Sequence, residues 1–286
     1  MCDSGAMSPV VTIDELAESL SSDAPPVLLD VRWALGDTEG RQHYLDAHIP
    51  GAVFVDLDTE LAAPGSPELG RHPLPTLTDL QDAARRWGVR AGSPVVVYDA
   101  TGNLAAARAW WLLRWAGVAD VTMLDGGLGA WTSAGHPVRS GDEHPPLPGD
   151  VVLTAGHLPT LTADEAAEFA DHGHLLDARA AERYSGATEP IDPRAGHIPG
   201  ARSAPTSENL GPDGRFAPAE VLRERFAAVG VEPGRPVGVY CGSGVTAAHQ
   251  VAALALAGVD AALYPGSWSQ WSSDPGRPVA TGPDRR

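Results

Sequence analysis

Cysteine is nearly absent from this chain: its 286 residues hold two, Cys2 and Cys241. Cys2 sits in a polar opening stretch, MCDSGAMSP, that reads as disordered, so a disulfide framework is excluded and a reducing, cytoplasmic setting is expected. No CxxC or HExxH pattern occurs, and His172 and His174 alone make a poor metal site, so no metal is expected. Positive charge is also scarce. Twenty basic residues face 37 acidic ones, for a net charge of -17, which argues against nucleic acid and anionic membranes as partners. A local basic pocket for a small anion stays open. No basic segment followed by an apolar one opens the chain, so no signal peptide is read. The long stretch without formal charge, 236–259, contains Pro, Gly, Ser, Thr, His and Gln; it fits strand, loop and buried helix better than a membrane span.

What is present is a duplication. LLDVRW at 28–33 recurs as LLDARA at 175–180, and AHIPGA at 47–52 as GHIPGA at 196–201. The run PVVVYDATGNLAAARAWWLLRWAGV, 94–118, matches PVGVYCGSGVTAAHQVAALALAGV, 236–259, after one gap; MLDGGLGAW, 123–131, matches LYPGSWSQW, 263–271. The order is the same in both halves, and the period far exceeds the roughly 20–50 residues of solenoid repeats. Two domains are therefore expected, 1–140 and 160–286, joined by a linker at 141–159 that opens on a Pro- and acid-rich stretch. Short apolar strands (Val27–Val31, Val95–Tyr98, Val237–Tyr240) alternate with helical runs: Asp14–Leu20, Thr78–Trp87, Leu104–Ala116, Asp164–Phe169 and Pro218–Val229. The alternation predicts α/β domains, each with a central, mainly parallel sheet flanked by helices.

The chemical signal lies after the Val237–Tyr240 strand. The strand ends at Cys241; Gly242, Ser243, Gly244, Val245 and Thr246 follow, leading into an Ala/Leu helix. Binding in open α/β sheets occurs at the carboxyl ends of strands. Glycines let the backbone curl its N–H groups inward, and the helix N-terminus adds positive potential. Such a place stabilises a thiolate, the nucleophilic form of cysteine. The bland alternative is a buried cysteine acting as a small hydrophobe. The duplicate offers a control: the first half has Asp99 at this position, which predicts one reactive domain and one supporting domain.

The two HIPGA blocks, the LLDxR strands, DGGLGAW and PGSWSQW resemble the tandem-domain rhodanese-type sulfurtransferases over nearly the whole chain. The loop CGSGVTA is similar to that of the 3-mercaptopyruvate sulfurtransferases; thiosulfate-preferring members more often carry basic residues just after the cysteine. The resemblance implies two tandem rhodanese-like domains. It implies transfer of sulfur from 3-mercaptopyruvate or thiosulfate, through a Cys241 persulfide, to cyanide, a thiol or a thioredoxin-like dithiol, with no cofactor. It further implies that Arg183, in the RY dipeptide, and Arg194, after TEP, bind an anionic donor, as a planar guanidinium suits a carboxylate. His48, with Ser243 and a candidate acid at Asp37, takes the family's place for proton handling. Against that, His48 and His197 stand at equivalent positions, which favours a structural hydrogen bond in both halves. Arg179 reads as pairing with a nearby carboxylate, and Trp33 as a core or cleft aromatic.

Two other functions fit parts of the pattern. A cysteine phosphatase needs an arginine six residues after its cysteine, but that residue is Ala247 and the next arginine is Arg277. A persulfide carrier delivering sulfur to a partner protein keeps Cys241 but needs no small-donor pocket, which the two arginines argue against.

Overall fold

The computed structural model describes residues 8–284, without the side chains of residues 170 and 171; Cys2 and the polar opening stretch lie outside the described residues. The first half builds a five-stranded parallel sheet in the order β1-β5-β4-β2-β3, from β1 (Val10–Val11), β2 (Val27–Asp30), β3 (Val53–Phe54), β4 (Val95–Tyr98) and β5 (Val121–Leu124). The second half builds a four-stranded one in the order β7-β6-β8-β9, from β6 (His174–Asp177), β7 (Arg202–Ser203), β8 (Val237–Tyr240) and β9 (Ala261–Leu263), also parallel. The central strands β4, β6 and β8 are buried along their whole length, as parallel strands covered on both faces must be. That is why they read as short apolar runs without alternation.

Helix starts follow the side-chain chemistry. Thr12 caps α1 (Ile13–Leu20) and Thr162 caps α7 (Ala163–His172), each in a box closed by a glutamate three residues on. Such caps satisfy orphan N–H groups and contribute about 1 kcal/mol each.

Helices α5 (Ala106–Trp115) and α10 (Val245–Leu256) each follow the middle strand of their sheet and pack on one another. Both are buried almost all round and rich in alanine, so their backbones approach closely. One continuous apolar cluster runs through both halves, including Trp111 and Leu112 of α5 and Ala248, Val251 and Ala252 of α10. Burying a large apolar side chain contributes roughly 1.5–3 kcal/mol, so this interface is a shared core. The 141–159 stretch, expected as a linker, is strapped to the first domain. Val151 and Leu153 are buried, the Val151 carbonyl accepts from Arg85 Nε (2.9 Å), and the Ala91 N–H donates to Asp150 (3.0 Å).

Candidate active site

Cys241 directly follows β8, with 2% of its surface exposed. Its Sγ accepts the N–H of Gly244 at 3.1 Å. Its backbone is held from α11 (Ser267–Ser273): the Cys241 N–H donates to Ser267 Oγ (3.1 Å), the Cys241 carbonyl accepts from Trp268 N (2.9 Å), and the Gly242 carbonyl accepts from Ser269 N (2.9 Å). Gly244 has φ +80°, and a Cβ there would stand 2.5 Å from the Pro265 carbonyl oxygen, so only glycine makes this turn without strain. The turn aims the Gly244 N–H, at the N-cap of α10, and the positive end of the helix dipole at the sulfur.

The cysteine-free copy shows what such a loop binds. Asp99 is 1% exposed. Its carboxylate accepts four backbone N–H groups: Thr101 (2.7 Å) and Asn103 (2.8 Å) on Oδ1, and Ala105 (2.8 Å) and Ala106 (3.0 Å) on Oδ2. Asn103 has φ +68°, matching Gly244, and aligns with it in the duplicate; Ala105 and Ala106 align with Thr246 and Ala247. The loop is an anion nest. In the first domain an aspartate fills it, and in the second it surrounds a thiol.

The first domain contributes the polar groups around that thiol. Ser243 Oγ lies 2.8 Å from His72 Nδ1, and His72 Nε2 lies 3.1 Å from Asp58 Oδ1. Asp58, on α3 (Leu57–Glu60), also accepts from Trp33 Nε1 at 3.1 Å, and the Trp33 ring stands edge-on to His72 at 5.6 Å. Burial holds the His72 imidazole below its ordinary pKa; Arg108 and Arg71 add to this, and Asp58 opposes it. Nε2–H directed at Asp58 leaves Nδ1 free to accept the Ser243 hydroxyl proton.

Two guanidinium groups cover the other side of the loop. A Cβ on Gly242 would lie 2.9 Å from Arg71 Nη2 and 3.5 Å from Arg183 Nη1. Both arginines pair with Asp192, and Arg183 also pairs with Glu189 (2.7 Å). Burial raises the Asp192 carboxyl pKa, with Arg71 acting against it. For Glu189 burial acts upward as well, but the Arg183 hydrogen bond and the N–H groups of Asp192 and Ile191 hold it below the usual carboxylate value. Arg71 is anchored by its own N–H on Ser269 Oγ (3.0 Å). A cleft of about 500 Å³ opens here, lined by Arg71, His72, Ile191, Asp192 and Ser269 among others.

Several sequence expectations change. Arg194 is turned away from the loop: its guanidinium donates to the carbonyls of Trp271 (2.9 Å), Ser272 (2.7 Å), Asp274 and Arg277 (2.8 Å), satisfying the C-terminal end of α11. His48 does not reach Ser243. It is buried, stacked on Tyr44, with Nδ1 on the Tyr44 carbonyl (2.9 Å); His197 repeats this on Tyr184. Asp37 pairs with His43 at 3.4 Å. The histidine at Ser243 is His72, with Asp58 behind it. Arg179 engages Asp177 (2.6 Å) and Glu189 (3.2 Å). The sequence reading missed His72, Asp58 and Arg71. One signal was available: in the duplicate, GRHPLP at 70–75 aligns with GRFAPA at 214–219, so His72 stands where the second copy has Phe216.

Known proteins resemble this one over nearly the whole chain. The M. tuberculosis protein named "Putative thiosulfate sulfurtransferase SseB" is 49% identical over 277 residues, covering 96% of this chain and 97% of its own. A Pseudomonas aeruginosa protein named "Probable 3-mercaptopyruvate sulfurtransferase" is 48% identical, covering 96% and 98%. The crystal structure of SseA from Escherichia coli, described as showing the rhodanese fold and catalytic mechanism of 3-mercaptopyruvate sulfotransferases, superposes with a TM-score of 0.82 at 32% identity, covering 92% of this chain and 99% of that one. The rhodanese-like domain model matches residues 12–134 and again 162–274, and the chain therefore belongs to the rhodanese-like family, with two copies of the domain.

Proposed function

We propose that this protein is a sulfurtransferase that takes sulfur from 3-mercaptopyruvate onto Cys241 and passes it to a thiol or cyanide. The observation that carries this reading is the position of Cys241 Sγ: it faces the Gly244 N–H inside a loop whose duplicate holds a full carboxylate on four N–H groups. The nest that binds Asp99 suits a thiolate and, after reaction, a persulfide anion. Arg71 and Arg183 give the donor's carboxylate a bidentate seat in place of Asp192.

The steps balance. The Cys241 thiolate attacks the donor sulfur and forms an S–S bond. The carbon–sulfur bond breaks, and its electron pair leaves as the enolate of pyruvate. The proton of the new persulfide S–H passes through Ser243 and His72 to the enolate carbon, and pyruvate departs. His72 can act in this way because burial favours its neutral form, ready to accept before it gives back. The acceptor then attacks the outer sulfur, and the Cys241 thiolate leaves.

Thiosulfate is the second donor to consider, since the M. tuberculosis relative carries that name. Turnover with each donor separates the two readings. Mercaptopyruvate is expected to be the better substrate, and Cys241→Ser to abolish turnover with both while the protein stays folded. Arg183→Ala is expected to raise KM about tenfold or more for mercaptopyruvate, as loss of a charged hydrogen bond does, with a smaller effect on thiosulfate. A donor ratio unchanged by that substitution removes the carboxylate role.

A further inference from the structure

Helix α5 of the first domain carries a cation that the steps above leave idle. Arg108 is fully buried. Its guanidinium donates only to neutral carbonyls: Leu61 (3.2 Å), Gly244 (3.2 Å), His72 (3.0 Å) and Pro73 (3.4 Å). Among the described residues no carboxylate forms an ion pair with it. An isolated buried charge is strongly unfavourable unless an opposite charge lies close by. Cys241 is placed to carry one. Gly244, whose carbonyl Arg108 holds, is the residue whose N–H contacts Sγ at 3.1 Å.

We propose that Arg108 is the resident counter-cation of the Cys241 thiolate, supplied by the first domain, whose matching loop carries Asp99 in place of a cysteine. The extension to the persulfide anion rests on the functional reading above; the thiolate claim does not. Burial lowers the Arg108 pKa to about 10, and charge on Cys241 pushes it back up, as expected for a cation awaiting its anion. The other charged groups around the loop are already partnered. Arg71 and Arg183 are tied to Asp192 and Glu189, and His72 is backed by Asp58. From α11 the loop is met by Ser267 and Trp268, which carry no charge. Among the described residues that meet the loop, Arg108 is the cation without a carboxylate partner.

The same side chain is a positioning clamp. It joins the carbonyls of His72 and Pro73, in the segment bearing the proton-handling histidine, to that of Gly244 in the cysteine loop. A clamp and a counter-charge respond differently to substitution. Lysine keeps the charge and loses the planar fork; glutamine loses the charge.

The test is the pH profile of Cys241 alkylation by iodoacetamide, in a Cys2→Ser background so that one thiol reports. It needs no sulfur donor, so its outcome is independent of turnover. In Arg108→Gln the pH of half-maximal rate is expected to rise by about one unit, a roughly tenfold slower reaction near neutrality, since one unit corresponds to tenfold in thiolate. In Arg108→Lys the profile is expected to stay close to that of the unsubstituted protein, even if Tm falls. A folded Arg108→Gln protein with an unshifted profile overturns the proposal. So does an equal shift in both variants, which marks a clamp alone. Should Arg108→Gln fail to fold, Arg108→Met, close in length and uncharged, takes its place: a rise of about one unit beside an unshifted Arg108→Lys supports the counter-cation, and an unshifted Arg108→Met profile overturns it.

Discussion

A single exchange, cysteine for aspartate, separates the two halves of this chain at the residue scale. Asp99 satisfies its nest with four N–H groups on its own carboxylate, whereas Cys241 Sγ accepts the Gly244 N–H. The neighbouring hydroxyl defines the first prediction at this scale. Ser243→Ala and His72→Ala are each expected to lower kcat about 100-fold, within the range for a lost proton-transfer group, while Cys241 still alkylates. His48→Asn is expected to affect stability more than kcat/KM. Steady-state kinetics alongside thermal melts read both; full turnover in His72→Ala removes the relay. Cys241 was legible from sequence because strand, cysteine, glycines and helix are contiguous. His72 was not, because it reaches Ser243 across 171 residues of chain. The family resemblance gave His48 the proton role, whereas its repetition as His197 pointed to a structural one, the shared hydrogen bond to a tyrosine carbonyl.

At the scale of elements, the two halves exchange loops. The segment carrying Gly70 and Arg71 lies on α11 of the second domain, with Arg71 N on Ser269 Oγ. The matching segment of the second domain returns the contact, with Phe216 N on Asp125 Oδ1 (2.9 Å). Each loop after a middle strand is therefore covered by the partner domain, and the cysteine site is completed from the first. The strand–helix order and the duplication were plain in the sequence, since they rest on local periodicity. The exchange was not, because it depends on how two finished domains dock. Arg194 shows the same limit: its place after TEP suggested a donor site, but the helix end it satisfies becomes visible only once α11 is in position. The prediction here is backbone-based. Gly244→Ala meets the Pro265 carbonyl at a positive φ, so it is expected to cost about 1–3 kcal/mol and to depress turnover. Denaturant melts and kinetics read this together, and a silent alanine contradicts the described turn.

At the scale of the whole molecule, the shared α5–α10 core makes the two domains one unit, and its pH response is readable in one residue. His249 of α10 is fully buried, stacked on Phe216 at 4.5 Å; burial drives its pKa to about 3. An unfolded histidine titrates near 6.5. Below that value the unfolded chain binds a proton that the folded one refuses, so this group's stabilising effect is complete above pH 6.5 and lost as pH falls toward 3, by up to about 1.4 kcal/mol per unit. Asp30 opposes this, because burial raises its folded pKa to about 6, and folding then gains as pH falls from there toward 3.8. The contrast between His249→Gln and the unsubstituted protein cancels Asp30. The penalty of the substitution is expected to shrink as pH falls from 7 to 4 in urea melts; a constant penalty contradicts the assignment. Among the described residues no helix is long and apolar enough to cross a membrane.

Intact-protein mass spectrometry reads directly whether a sulfur atom is carried on Cys241. After brief exposure to 3-mercaptopyruvate and removal of the donor, an added mass of about 32 Da, one sulfur, mapped to Cys241, is expected, as a covalent intermediate requires. That mass is expected to be lost on adding a thiol or cyanide. A protein that turns over donor and acceptor without ever showing the adduct on Cys241 contradicts the persulfide mechanism.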